Sequence, residues 1–99
     1  MTIKLIDRGT EGELLLDGRL DAVTSEDAEE VFLQMAQQYE KLILNMDKLR
    51  YISSAGLRVL KKTYMAMTKK AGTLELKNVN KLVMEVFEMT GFAGLLRIV

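Results

Sequence analysis

The chain predicts an α/β fold: a mixed sheet of four or five strands with the helices packed mainly on one side. Three observations carry this. Leu42-Ile43-Leu44-Asn45-Met46 is an apolar run of strand length with too little polarity for a half-exposed strand, as expected where both faces are buried between parallel neighbours. Amphipathic helical patterns stand on both sides of it, over about Ser25–Glu40 and from Ala55 to about Lys70. The order strand, helix, strand implies a right-handed crossover between parallel strands.

The elements follow in order. Thr2–Arg8 alternates imperfectly around Ile3, Leu5 and Ile6, which suits an edge strand. Gly9-Thr10-Glu11-Gly12 then turns the chain into a second strand at Glu13–Asp17, forming a hairpin. Gly18–Val23 reads as a loop, in which Asp21 suits a turn residue bonded to its own backbone. Thr24 stands where an N-cap belongs, with Asp27 in the capping-box position. Glu26, Asp27, Glu29 and Glu30 crowd the first turns, where the helix dipole favours them. Ala28, Val31, Phe32, Met35 and Tyr39 recur at three- and four-residue spacing and form the apolar face.

After the buried strand at Lys41–Met46, Asp47-Lys48-Leu49-Arg50 leads into Tyr51-Ile52-Ser53-Ser54-Ala55-Gly56-Leu57. Either serine can accept a hydrogen bond from a free N–H at the start of the next helix. Gly56, Leu57, Val59, Leu60, Tyr64 and Met67 share one broad face of that helix, and Arg58, Lys61, Lys62 and Lys69 fill the opposite arc. Met65 falls within the basic arc. It reads as a stray exposed methionine or as a partner contact. Ala71-Gly72 ends the helix. Thr73–Lys77 is the fourth strand. Asn80 caps a third helix with Leu82, Val83, Val86 and Phe87 on one face, Gly91 closes it, and Leu95–Val99 is a short strand or docked tail.

Composition narrows the function. The 99 residues suit one domain spanning 1–99, with 48% hydrophobic and 28% charged residues. Fourteen basic residues balance fourteen acidic ones, which favours neither nucleic acid nor an anionic membrane as partner. There is no cysteine, hence no disulfide and no thiolate metal site, and no histidine, the commonest general base and metal ligand. No apolar stretch approaches the roughly 20 residues that span a bilayer, and Met1-Thr2-Ile3-Lys4 does not open a signal peptide. The expected location is cytoplasmic. Ser53 and Ser54 have no histidine to activate them, Gly-x-Ser-x-Gly is absent, and Gly56 alone makes no phosphate-binding loop. The carboxylates of the first helix are strung along its turns rather than arranged as a calcium loop. The sequence therefore predicts neither an enzyme nor a cofactor or metal site. It predicts a binding module whose own serine is modified.

Ile52-Ser53-Ser54-Ala55-Gly56-Leu57 resembles the signature of the STAS domain family, the anti-sigma factor antagonists. Gly18-Arg19-Leu20-Asp21 is similar to the family's Gly-x-Leu-Asp, and Thr90-Gly91-Phe92 to its Ser/Thr-Gly-Leu/Phe, so the resemblance covers the chain in order. It implies a protein that binds an anti-sigma factor, itself an ATP-dependent serine kinase. The kinase releases the antagonist by phosphorylating it, and a metal-dependent serine phosphatase resets it. In the family motif Asp-Ser-Ser/Thr-Gly-Leu the serine after the Asp is phosphorylated. Aligning Gly-Leu on Gly56-Leu57 puts that serine at Ser54, with Ser53 in place of the Asp and Ala55 in place of the Ser/Thr. Ser53 is thus a second candidate. Arg58 stands where many members have glycine. The expected partner-binding residues are Asp21, Ser53, Ser54, Gly56, Arg58 and Met65, and the chain is expected to be a monomer. The other function the family allows is a non-switching interaction module of a transport complex or signalling scaffold.

Overall fold

In a computed structural model that describes residues 1–99, the chain forms five strands and four helices. They are β1 (Thr2–Arg8), β2 (Glu11–Leu20), α1 (Ser25–Gln38), β3 (Lys41–Ile52), α2 (Ser54–Lys69), β4 (Thr73–Lys77), α3 (Lys81–Thr90), α4 (Phe92–Leu95) and β5 (Arg97–Ile98). The sheet order is β1-β2-β3-β4-β5, antiparallel for β1–β2 and parallel for the other three pairs. β3 is the middle strand, as its apolar run requires, and the helices lie on one face.

The register explains the two faces. Leu14, Leu44 and Leu76 are neighbours across β2, β3 and β4, and their row faces the helices. Phe32 of α1, Leu60 of α2 and Phe87 of α3 close on that row within one core of 20 buried residues. One residue along, Glu13, Ile43 and Glu75 make the adjacent row, which by strand alternation points the other way. Two carboxylates sit there beneath cations. Glu13, only 2% exposed, takes the Arg8 guanidinium at 2.7 Å and the Asn45 amide at 2.8 Å. Glu75 takes Arg97 at 2.8 Å and Lys41 at 3.3 Å. Asn45 most strongly, with Arg8 and Lys77, holds the Glu13 carboxyl below the usual range, against a desolvation that pushes it up.

Several boundaries differ from the sequence reading. Gly18–Leu20 continues β2 rather than forming a loop, and β3 runs six residues beyond Met46 to Ile52. β3 carries an extra residue relative to β2 at two places, between the partners of Leu15 and Asp17 and between those of Gly18 and Arg19. Such bulges break alternation, which disguised the strand. α1 stops at Gln38, two residues early.

Thr24 does not cap α1 with its side chain. Its hydroxyl donates to the Arg19 carbonyl at 2.8 Å and accepts from the Asp21 N–H at 3.0 Å. The α2 terminus is also built differently. Gly72 N–H reaches the Met67 carbonyl at 2.7 Å and Ala71 N–H the Thr68 carbonyl at 3.0 Å. This is a Schellman ending in which Ala71, at φ 61°, holds the left-handed position that glycine usually takes. Leu82 lies outside the buried face of α3, at 59% exposure, whereas Val83 and Phe87 are buried. Asn80 does cap that helix, accepting from Val83 N–H at 2.9 Å, and Gly91 ends it at φ 81°.

Candidate functional site

The site forms where β2 and β3 end and α2 begins. The Ser53 N–H donates to the Leu20 carbonyl at 2.9 Å, so the last residue of β2 anchors the turn between β3 and α2. This joins the Gly18–Asp21 and Ile52–Leu57 stretches in space. Gly56 is buried against the same strand end. A Cβ there would lie 2.7 Å from the Leu20 carbonyl oxygen and 2.8 Å from Ile52 Cγ1, so only glycine lets α2 start this close to β2.

The two serines differ in geometry. Ser53 is the N-cap, extended at φ −100° and ψ 177°, and its hydroxyl accepts from the Gly56 N–H at 3.3 Å. It is half-buried. Ser54 is the first residue of α2, is exposed, and its hydroxyl makes no hydrogen bond within the chain. No acidic residue stands in the first turn of α2, and the N–H groups of Ser54 and Ala55 have no preceding turn to pair with. The positive end of the helix dipole therefore meets whatever the Ser54 oxygen carries.

Asp21 shapes the neighbouring turn. Its Oδ1 accepts from Val23 N–H at 3.0 Å and Thr24 N–H at 3.1 Å, while its carbonyl takes Ser25 N–H at 2.9 Å. That is the behaviour of an N-cap, one turn earlier than Thr24. The Thr24 N–H contributes most to holding the Asp21 carboxyl below its ordinary range, joined by Val23 N–H, the Thr24 hydroxyl and Arg19.

Two residues absent from the sequence reading of the site belong beside it. Arg19 Cζ lies 4.2 Å from the centre of the Tyr51 ring, a cation–π stack across β2 and β3, and Arg19 Nε lies 3.5 Å from Asp21 Oδ2. The second bulge of β3 sets this pairing of Arg19 with Tyr51. Met46, Leu49 and Ile52 fall three apart, out of strand alternation because of the two bulges, so no period-two signal marked the continuation of the strand. Arg58 and Met65 both lie on the exposed side of α2, further along the helix, so the six expected residues divide. Asp21, Ser53, Ser54 and Gly56 cluster at the strand ends, and Arg58 and Met65 extend along the helix.

An exposed serine opening a helix at the strand ends of a mixed sheet, with its helices on one side, is the architecture of the STAS domain. The family's sequence model matches residues 6–99, and the chain belongs to the STAS domain family. Among its relatives is BtrV of Bordetella bronchiseptica (strain ATCC BAA-588 / NCTC 13252 / RB50), named as a candidate anti-sigma factor antagonist. It is 36% identical over 81% of this chain and 77% of its own length. The anti-sigma-B factor antagonist of Bacillus subtilis (strain 168) is 26% identical over 82% of this chain and 74% of its own. Among solved structures, the phosphorylated form of the Bacillus cell fate determinant SpoIIAA superposes with a TM-score of 0.77 at 18% identity, covering 99% of this chain and 91% of that one. A sulfate transporter family protein from Wolinella succinogenes superposes with a TM-score of 0.81 at 17% identity, covering 94% and 79%. No helix of the chain is long and apolar enough to cross a membrane.

Proposed function

We propose that this chain is an anti-sigma factor antagonist that binds an anti-sigma factor serine kinase in the cytoplasm and is released by phosphorylation at Ser54. The observation that carries the choice of residue is the contrast between the two serines. Ser54 is exposed with a free hydroxyl, whereas Ser53 is half-buried and committed to capping α2. The names of the two sequence relatives support the class of partner.

The chain is the substrate of the transfer. The Ser54 Oγ attacks the γ-phosphorus of ATP on the kinase, the bond to the bridging oxygen breaks, and ADP leaves. The serine proton passes to a base on the kinase, since this chain has no histidine to take it. The product carries about −1.5 to −2 charges at neutral pH. At the start of α2 that charge faces free N–H groups and the positive end of the dipole, so the fold tolerates it. The partner must desolvate it or meet it with like charge, which costs enough to part a micromolar complex. A serine phosphatase resets the cycle, and the outcome is regulation of transcription.

The test is a titration of the host's anti-sigma factor kinase with the unmodified chain, Ser54→Ala and Ser54→Asp. Ser54→Ala binds like the unmodified chain and accepts no phosphate. Ser54→Asp folds and binds about tenfold or more weakly. Equal binding by all three, with no phosphate on either serine, favours a non-switching module, the reading that the likeness to a transporter-family structure keeps open.

A further inference from the structure

The outward face of α2 continues well past Ser54. Taking 100° per residue, Ser54, Arg58, Lys61 and Met65 fall within an arc of about 60°, flanked by Thr68 and Lys69. All six are exposed. They form one ridge about 22 Å long, at 1.5 Å per residue from Ser54 to Lys69. α2 contains no Asp or Glu. The only ion pair it makes joins Lys62 to Glu29 of α1 at 2.9 Å, on the flank where the two helices pack. Arg58, Lys61 and Lys69 pair with no carboxylate of this chain. Between them Met65 is 57% exposed, beside a shallow depression lined by Tyr64, Met65, Ala66, Thr68 and Lys69.

Resting on the reading of α2 as the docking helix, we propose that this ridge receives an acidic amphipathic helix of the partner protein. Its carboxylates meet Arg58, Lys61 and Lys69, and an apolar residue between them covers Met65. Charge complementarity fixes the sign of the occupant: three unpaired cations in line, with no carboxylate on their own helix. The width fixes its shape. On the α1 flank Glu29 holds Lys62 at 2.9 Å, and the exposed Glu26 and Glu30 stand on that same helix, so the basic strip ends there and is one helix wide. A broad polyanion such as duplex DNA or an anionic bilayer would lie across both helices and meet those carboxylates. Methionine at the centre suits a protein surface, since its thioether adapts to irregular apolar contacts. The arrangement also gives the Ser54 switch its direction. A phosphate placed at the head of the ridge adds negative charge where the acidic helix must approach.

The test uses the full unphosphorylated chain, so it stands apart from whether Ser54 is ever modified. A synthetic amphipathic helix bearing glutamates around a leucine–methionine stripe is titrated into the labelled chain, and amide shifts are followed by NMR. The expected result is a set of shifts at Arg58, Lys61, Met65 and Lys69 that weakens as salt is raised. Lys61→Glu with Lys69→Glu weakens binding about tenfold or more, Met65→Ala weakens it less, and Lys4→Glu on the far side of the sheet leaves it unchanged. Melting curves establish that each variant is folded. An absence of shifts on α2, charge reversal without effect, or binding of equal strength by a lysine-based helix overturns the proposal. So does equal occupation of the ridge by duplex DNA or phosphatidylglycerol vesicles. Concentration-dependent shifts at Leu82 and Met89 of α3 together with the ridge, without peptide, would instead assign it to a second copy of this chain.

Discussion

Adjacent serines do different work because the helix begins between them. Ser53 keeps an extended backbone and accepts the Gly56 N–H, while Ser54 has turned into the helix and is exposed, with no partner for its hydroxyl. Losing the cap should cost about 1 kcal/mol in Ser53→Ala. Ser54→Ala replaces an exposed hydroxyl with a good helix former and should stay within about 0.5 kcal/mol of the parent. Urea unfolding of both variants checks the order, and a larger cost at Ser54 would reverse the assignment of cap and acceptor. The sequence placed both serines at this junction but could not rank them as caps, since spacing alone allows either. Thr24 shows the same limit: it had the right type and position for an N-cap, but its hydroxyl is engaged with Arg19 and Asp21. Asp21 caps one turn earlier, through the local backbone bonds that its type suggests.

Helix ends and strand bulges decide how the elements meet. The α2 terminus holds Ala71 at φ 61°, a conformation that costs a residue with a Cβ about 1–2 kcal/mol. Glycine there relieves the strain at some cost in unfolded-chain entropy, so Ala71→Gly should stabilise the chain by about 0.5–1 kcal/mol. A rise in the melting temperature checks this, and a fall would contradict the Schellman geometry. The Ala-Gly pair was visible in the sequence as a helix end, but composition points to the glycine as the left-handed residue. Here Gly72 is held by space instead, its would-be Cβ lying 2.8 Å from the Glu40 carbonyl oxygen. The same end is tied to α1 by Lys70, whose ammonium donates to the carbonyls of Ala36 at 2.7 Å and Tyr39 at 2.8 Å. α1 has no basic residue in its own last turn, and Lys70 supplies that charge from a neighbouring element. No periodicity reveals such a contact, because its partners stand more than thirty positions apart.

For the molecule as a whole, the core row was legible and the opposite face was not. The apolar run of β3 and the faces of α1 and α2 announced a sheet with helices on one side. The second face pairs Glu13 and Glu75 with Arg8, Lys41 and Arg97, contacts that depend on strand register. They have a consequence for acid stability. The folded state holds Glu13 below the ordinary carboxylate value, so the unfolded chain takes up its proton first. The stabilisation is fully present above that ordinary value and is lost as pH falls through the lower folded one. Glu13→Gln should lower stability at pH 7 by about 1–3 kcal/mol, because the Arg8 and Asn45 groups lose a charged partner. It should also flatten the fall in stability between about pH 5 and 3, where the unfolded carboxylate titrates. Denaturant curves across that range check both effects, and an unchanged acid slope would remove Glu13 from the account.

The central claim is that Ser54, at the exposed start of α2, carries the switch. The direct measurement is incubation of the chain with the host's anti-sigma factor kinase and ATP, followed by fragmentation mass spectrometry of the tryptic peptide Tyr51–Arg58. The account predicts one phosphate, on Ser54, retained in Ser53→Ala and absent in Ser54→Ala. Phosphate on Ser53 alone, surviving in Ser54→Ala, would contradict it.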